Sequence, residues 1–229
     1  WSHLYVASQL HNQIPANSTI HLGILSPLRS WSYFDFHPTI EVYCNQGGFG
    51  IDGNMSSLLG ASLIHPNRIY YAVVVDLSFF YDMNLIGNRH VGNNIRILLV
   101  NNSLGAEFLL FKQTNTITCI NDIESYISAK DHFGHQSSKL VRHYAEDLGF
   151  KYLSASNKEE FTQIYPQFTT PEITEKPIIF EVFTDVENEN EALKRMWNIE
   201  KGKSNIVKNV IKQTFGESNI RTIKNLLNK

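Results

Sequence analysis

A chain of 229 residues with 42% hydrophobic and 18% charged residues is a folded globular polypeptide, long enough to bury one good core with appendages, and not a disordered one. Its formal net charge of −2 argues against a surface that binds nucleic acid by broad phosphate neutralisation. Two cysteines, Cys44 and Cys119, without Cys-x-x-Cys spacing, permit neither a disulfide framework nor a zinc site. No window approaches about 18 uninterrupted apolar residues and the start lacks a signal-peptide pattern, so the expectation is a reduced cytoplasmic protein without membrane contact. The first residue is Trp1 rather than methionine, and the chain is read as a fragment or processed piece.

In chain order, Leu4 to Gln13 reads as a short helix, Pro15 to Ser18 as a turn and Thr19 to Leu25 as the first strand. Ser26-Pro27-Leu28-Arg29 opens a helical segment that also holds Trp31, Tyr33 and Phe34, with Pro27 in a first turn where its missing N–H costs nothing. Ile40 to Cys44 is the second strand. Between Gly47 and Gly53 stand four glycines in seven residues, which permit positive φ and close backbone approach to a ligand. No Gly-Lys-Ser/Thr follows, so this is not a Walker loop. Asn54 to Leu63 is the next helix.

Two apolar runs follow, Ile69 to Val75 ending on Asp76 and Ile95 to Val100 ending on Asn101 and Asn102. Short β-branched runs separated by helix-length segments read as buried parallel strands. Asp76 and Asn102 then sit at carboxyl strand ends, the edge where open α/β sheets bind ligands. The 24 residues between Asp76 and Asn101 suffice for one crossover with a helix. Both side chains offer hard oxygen donors suited to magnesium or calcium. The residues themselves leave open a plain helix cap at Asp76 and a turn at Asn101–Gly105.

Leu109 to His135 lacks periodicity and is expected to be a lid; His132 and His135 have no third ligand nearby and read as lid or structural histidines. Ser137 to Gly149 is an amphipathic helix stopped by Gly149, Phe150 to Leu153 a short edge strand, Asn157 a helix start and Pro177 to Phe183 the last strand. This alternation predicts an α/β fold, a doubly wound, mostly parallel sheet with helices on both faces, over residues 1–186. A helical C-terminal extension is expected over 187–229, with a basic face from Lys201 to Lys229.

An acidic strand end, a crossover and Asn-Asn together resemble the diphosphate–metal motif of thiamine-diphosphate-dependent enzymes, usually Gly-Asp-Gly followed by Asn-Asn, with departures at Val75 and Leu77. Within that family the 2-succinyl-5-enolpyruvyl-6-hydroxy-3-cyclohexene-1-carboxylate synthases of menaquinone biosynthesis are most similar. Their Asp-Leu-Ser, Tyr-Asp-x-Asn and Val-Asn-Asn resemble Asp76-Leu77-Ser78, Tyr81-Asp82-Met83-Asn84 and Val100-Asn101-Asn102. Their Ser-Asn-Arg-Gly-x-x-Gly-Ile-Asp-Gly is similar to the stretch from Cys44 through Gly50-Ile51-Asp52-Gly53, and the likeness covers about residues 1–185.

The resemblance implies a thiamine-diphosphate-binding fold that takes thiamine diphosphate and Mg2+, with Asp76, Asn102 and the backbone carbonyl of Leu104 as metal ligands. It implies that Leu77, Ser78 and nearby amides meet the phosphates, that Gly50, Ile51 and Asp52 belong to the cofactor loop, with Ile51 as the apolar wedge beneath the bent cofactor, and that Arg29 is an active-site arginine. The implied reaction is decarboxylation of a small 2-oxo acid with carboligation, here 2-oxoglutarate with isochorismate. The implied partner is a pyrimidine-binding domain of the same or another subunit, in a homodimer or tetramer, so the chain alone is expected to have no turnover. Gln46 stands where the synthases carry arginine and Glu107 where they carry an apolar residue; both make the site less hospitable to an anionic substrate. A related acetolactate-synthase-like enzyme or 2-oxo acid decarboxylase therefore stays open, as does a non-catalytic α/β binding module with a degenerate site.

Overall fold

The computed structural model describes residues 1–48, 50–106 and 137–196. The expected lid with His132 and His135, Glu107, Cys119 and the basic stretch Lys201–Lys229 lie outside the described residues. The chain divides into two compact units, Trp1–Asn190 and Glu191–Lys229, a few residues beyond the boundary expected at 186. In the second unit residues 191–196 are helical, with an ion pair between Arg195 and Glu191 one turn apart.

The first unit is built on six strands: β1 (Thr19–Leu22), β2 (Glu41–Cys44), β3 (Tyr70–Val75), β4 (Ile95–Asn101), β5 (Lys151–Ala155) and β6 (Ile178–Phe183). Every pairing among them is parallel, in the order β2-β1-β3-β4-β6-β5. The central β3 and β4 are covered on both faces, which is why Tyr-Tyr-Ala-Val-Val-Val and Ile-Arg-Ile-Leu-Leu-Val-Asn do not alternate polar with apolar, the buried Arg96 being the one charge within them.

Helices α1 (His3–Leu10), α2 (Ser26–Trp31) and α6 (Lys158–Phe168) cover one face, where Val6, Leu10, Trp31, Phe161 and Phe168 pack on Ile20, Val73, Leu98 and Phe180. The other face carries α3 (Asn54–Ser62), α4 (Asp76–Tyr81), a 3-10 turn at Met83–Gly87 and α5 (Leu140–Asp147); Met55, Leu58, Phe79 and Val141 bury against Ala72, Val74, Ile97 and Ile179. Two-face coverage makes the sheet doubly wound, as the alternation of strands and helices predicts. Several ends follow local chemistry. Asn157 caps α6 by accepting from the Glu160 N–H at 2.9 Å, and Gly149 takes φ +87° just past α5.

Several boundaries differ from expectation: α1 ends at Leu10 rather than Gln13, α5 is shorter at both ends than Ser137–Gly149, and β5 runs on to Ala155 rather than Leu153; two more lie nearer the crevice. β1 stops at Leu22 rather than Leu25: the Gly23 N–H makes a last bond to the Val73 carbonyl at 2.8 Å, and the chain then turns out of the sheet through Leu25, held at φ 66° and ψ −119°. α2 ends at Trp31, before Tyr33 and Phe34. The topology positions the site. From β1 the chain steps outward to β2, returns to β3 on the other side of β1, and continues outward to β4. The order reverses between β1 and β3, and the carboxyl ends of these strands flank the crevice where such sheets take ligands.

Candidate functional site

Three loops meet at that carboxyl edge: Gly23–Leu25 after β1, Asn45–Gly53 after β2, and the turn of residues 102–106 after β4. β3 passes directly into α4, so Asp76 is at once the strand's end and the helix's first residue. Register pairs Val75 with Val100, which brings Asp76 beside the Asn101–Asn102 turn. Asp76 is wholly buried. Burial pushes its carboxyl up to about 7, while the backbone amides of Leu77, Ser103 and Asn102 pull the other way. The Leu77 amide donates to Asp76 Oδ1 at 2.8 Å.

The turn after β4 is tightly folded. Asn102 Oδ1 accepts from the Leu104 N–H at 3.5 Å, Asn101 Oδ1 from the Ser103 N–H at 3.3 Å, and Ser103 takes φ +76°, a conformation uncommon outside glycine. Asn102 and Leu104 are both buried. The two asparagines diverge in what they touch: Asn101 Nδ2 donates to Glu181 Oε1 on β6 at 2.8 Å, whereas Asn102 stays in the turn that meets Asp76.

The glycine loop is pinned to the same place. Ser78 Oγ donates to the Ile51 carbonyl at 2.5 Å, and Asn54 Nδ2 donates both to that carbonyl at 2.9 Å and to Ser78 Oγ at 3.1 Å. Ile51 is half-buried and Asp52 exposed beside Gly50. At the loop's entry, Asn45 Nδ2 reaches the Gly53 carbonyl at 3.3 Å and Ser57 Oγ at 3.0 Å, and the Asn45 side chain also bonds His21. Gly53 needs its residue type, with φ +70° at the helix entrance.

Of the residues singled out from sequence, Asp76, Leu77 and Ser78 open α4, Asn102 and Leu104 form the facing turn, and Gly50, Ile51 and Asp52 lie in the loop tied to Ser78. Arg29 comes from the last turn of α2, on the β1 side of the crevice. Sequence reasoning missed Asn54, Asp82 and Glu181. Asp82 accepts from the Ser56 N–H at 2.8 Å and from the Ser56 hydroxyl, and so caps the first turn of α3 from outside. Glu181 had a signal: a carboxylate inside an Ile-Ile-Phe-Glu-Val-Phe strand must have partners to be buried there.

The Asp76 carboxylate, the Asn102 side-chain oxygen and the Leu104 carbonyl, which accepts from the Ala106 N–H at 2.8 Å, are hard oxygen donors at one buried edge, of the kind magnesium accepts when phosphate oxygens and water complete its shell. Among the described residues no group of three or more His, Cys, Asp or Glu could hold a metal, so soft or imidazole ligation has no counterpart there. Among the described residues no helix is long and apolar enough to cross a membrane.

No family model matches the chain. Among curated proteins it is 31% identical over 204 residues to the 2-succinyl-5-enolpyruvyl-6-hydroxy-3-cyclohexene-1-carboxylate synthase of Phocaeicola vulgatus, covering 89% of this chain and 35% of that protein. The synthase of the same name from Bacteroides thetaiotaomicron is 32% identical over 194 residues, 85% of this chain and 33% of that protein. The chain thus spans about a third of the length of the curated relatives it matches. Among solved structures, a Rhodococcus jostii thiamine diphosphate-dependent 4-hydroxybenzoylformate decarboxylase superposes with a TM-score of 0.60 at 19% identity, over 80% of this chain and 32% of that one. The latter shows the fold. Across the third of the synthases that it spans, the chain is their homologue, and it shares the fold of the thiamine diphosphate-dependent decarboxylase.

Proposed function

We propose that this chain is the diphosphate- and magnesium-binding part of a thiamine-diphosphate-dependent decarboxylase and carboligase of the 2-succinyl-5-enolpyruvyl-6-hydroxy-3-cyclohexene-1-carboxylate synthase type. One observation carries the reading: the buried Asp76 carboxylate meets the amides of Asn102 and Ser103 at the reversal of strand order, joining the two halves of the motif. Asp76, Asn102 and the Leu104 carbonyl would hold Mg2+, and the amides at the start of α4 would face the phosphates. Ile51, on a loop fixed through Ser78 and Asn54, would lie under the cofactor. Ser78 ties the glycine loop to the start of α4, and so supports the site chiefly through Ile51. When bound, thiamine diphosphate supplies the electron sink for losing CO₂ from a 2-oxo acid. The protein's contribution is to orient it, neutralise its phosphates and exclude water.

A pyrimidine-binding domain, from the same polypeptide or another subunit in a dimer or tetramer, would complete the site, and this chain alone would not turn over. The substrates by likeness are 2-oxoglutarate and isochorismate. Gln46, exposed at the head of the glycine loop, favours a second reading with a different 2-oxo acid, since an amide cannot clamp a carboxylate as a guanidinium does. Isothermal titration of thiamine diphosphate in the presence and absence of Mg2+ tests the main reading. Saturable binding that needs the metal and disappears with EDTA is expected; no binding under either condition refutes it.

A further inference from the structure

Glu181 lies in the middle of β6, between Phe180 and Val182, and is almost wholly buried. Its two oxygens are both engaged. Oε1 accepts from Asn101 Nδ2 at 2.8 Å and Oε2 from the Tyr152 hydroxyl of β5 at 2.6 Å. Burial raises the carboxyl above its ordinary range, opposed by these two hydrogen bonds. A buried acid in a strand otherwise apolar is costly, and a valine or leucine would pack there more cheaply.

What the acid does is fix one amide. Asn101 offers a donor on one side of its carboxamide and an acceptor on the other, and rotation by half a turn exchanges them. An acceptor-only carboxylate admits only the orientation that presents Nδ2 to Glu181. That orientation aims Oδ1 at the Ser103 N–H, 3.3 Å away, and so supports the turn in which Ser103 takes φ +76°. Rotated, the carboxamide would set oxygen against oxygen at Glu181 and N–H against N–H at Ser103. The same turn carries the Asn102 and Ser103 amides that meet Asp76, along with Leu104. A continuous chain of hydrogen bonds therefore runs from Tyr152 on the edge strand through Glu181 and Asn101 to Ser103 and Asp76.

We propose that Glu181 is a positioning residue for the metal site: through Asn101 it sets the turn of residues 101–104 so that Asn102 and the Leu104 carbonyl stand beside Asp76. The inference rests on the cofactor reading above and deepens it. Side chains that orient metal ligands from one layer out change metal affinity about 10–100-fold when removed, and Glu181→Leu should raise the Mg2+ concentration for half-maximal thiamine diphosphate binding by that factor.

The experiment uses the protein that carries this chain at its full length, with Mg2+ titrated at fixed thiamine diphosphate and binding read by calorimetry and by Tm. Glu181→Gln, which still offers an oxygen to Asn101, should restore the half-saturation to within about threefold. Asn101→Ala should reproduce the loss, and the Asn101→Ala, Glu181→Leu double variant should lose no more than either alone, because both act through one turn. Additive losses, a Glu181→Gln as impaired as Glu181→Leu, or a wild-type metal requirement in Glu181→Leu would each overturn the assignment. Should Glu181→Leu not fold, Glu181→Ala takes its place in the same cycle with Asn101→Ala, and a wild-type metal requirement in Asn101→Ala overturns the assignment by itself. A wild-type protein that binds no cofactor refutes the cofactor reading and this inference with it, whereas normal wild-type binding with an unaffected Glu181→Leu removes this inference only.

Discussion

Two charged side chains are wholly buried on neighbouring strands of one sheet, at opposite ends of it. Arg96, near the start of β4, donates to the Tyr71 hydroxyl at 2.7 Å and to the carbonyls of Phe168, Thr170 and Glu172 at 2.7, 2.6 and 2.6 Å, with its guanidinium 5.4 Å from the Tyr71 ring centre. These acceptors include the open carbonyl at the end of α6 and those of the segment after it, so the charge is consumed in closing a helix end. Asp76, just past the end of β3, is treated differently. Backbone amides from its own helix and from the facing turn offset its burial only in part, and its carboxyl sits near 7. A buried charge whose partners all belong to the fold is architecture. One whose ionised form the fold leaves uphill, beside a crevice, fits the cation site proposed above.

That contrast breaks most visibly at Arg96. Arg96→Leu would leave the buried Phe168 carbonyl and Tyr71 hydroxyl, and the part-buried carbonyls of Thr170 and Glu172, without their donor, at a cost on the order of 3–5 kcal/mol in urea unfolding. Thiamine diphosphate affinity per folded molecule should be unchanged. Asp76→Asn should behave in reverse, unfolding at the same or a higher urea midpoint while Mg2+-dependent cofactor binding falls about 100-fold or more. If Asp76→Asn is the unstable variant and still binds, the distinction between the two ends of the sheet is wrong.

A third buried acid sharpens the comparison through pH. Glu189, in the segment after β6, accepts from the His3 N–H at 2.8 Å and the Thr184 hydroxyl at 2.7 Å, tying the start of α1 to that segment. Burial pushes its carboxyl from 4.5 up to about 7, against the opposing hydrogen bonds of Thr184 and His3. The folded value lies above the unfolded one, so the stabilising contribution is complete below about 4.5 and is lost as pH rises through 7. Between pH 5 and pH 8 the wild type should lose roughly 2 kcal/mol relative to Glu189→Gln. Taking that difference cancels Asp76, which titrates in the same window. Parallel stability curves for the two proteins would show that Glu189 is ionised in the folded state throughout.

The parallel sheet and most helix positions were legible because they rest on local signals: β-branched runs for β3 and β4, Asn157 ahead of α6, Gly149 behind α5. The ends of β1 and α2 were not, because Gly23 bonding to Val73 and the turn at Leu25 are tertiary events. At the candidate site, the places of Asp76 and Asn102 at the ends of β3 and β4 could be read from the apolar runs that precede them. The supporting residues could not. Asn54 holds Ser78 across 24 positions of sequence, and Glu181 holds Asn101 across 80. Nothing local records either pairing. Pro166 stands inside α6, which continues to Phe168 with Phe161 and Phe168 buried in the core.

The smallest expected effect falls on Asp82, an acid quoted in the same family-like motifs as Asp76 and close to it in sequence. α3 begins at Gly53, which supplies no side chain to its orphan amides; the Asp82 carboxylate takes that place by accepting from the Ser56 N–H and hydroxyl. A carboxylate there also faces the positive end of the helix. Asp82→Ala should therefore cost about 1–2 kcal/mol, the range of a lost cap, and leave the Mg2+ requirement within a few-fold of wild type. Asp82→Asn, which keeps the acceptor and loses the charge, should recover most of the stability. If instead Asp82→Ala raises the metal requirement as steeply as Asp76→Asn does, then the start of α3 is part of the cofactor site, and the line between structural and ligand-directed acids has to be drawn further from Asp76.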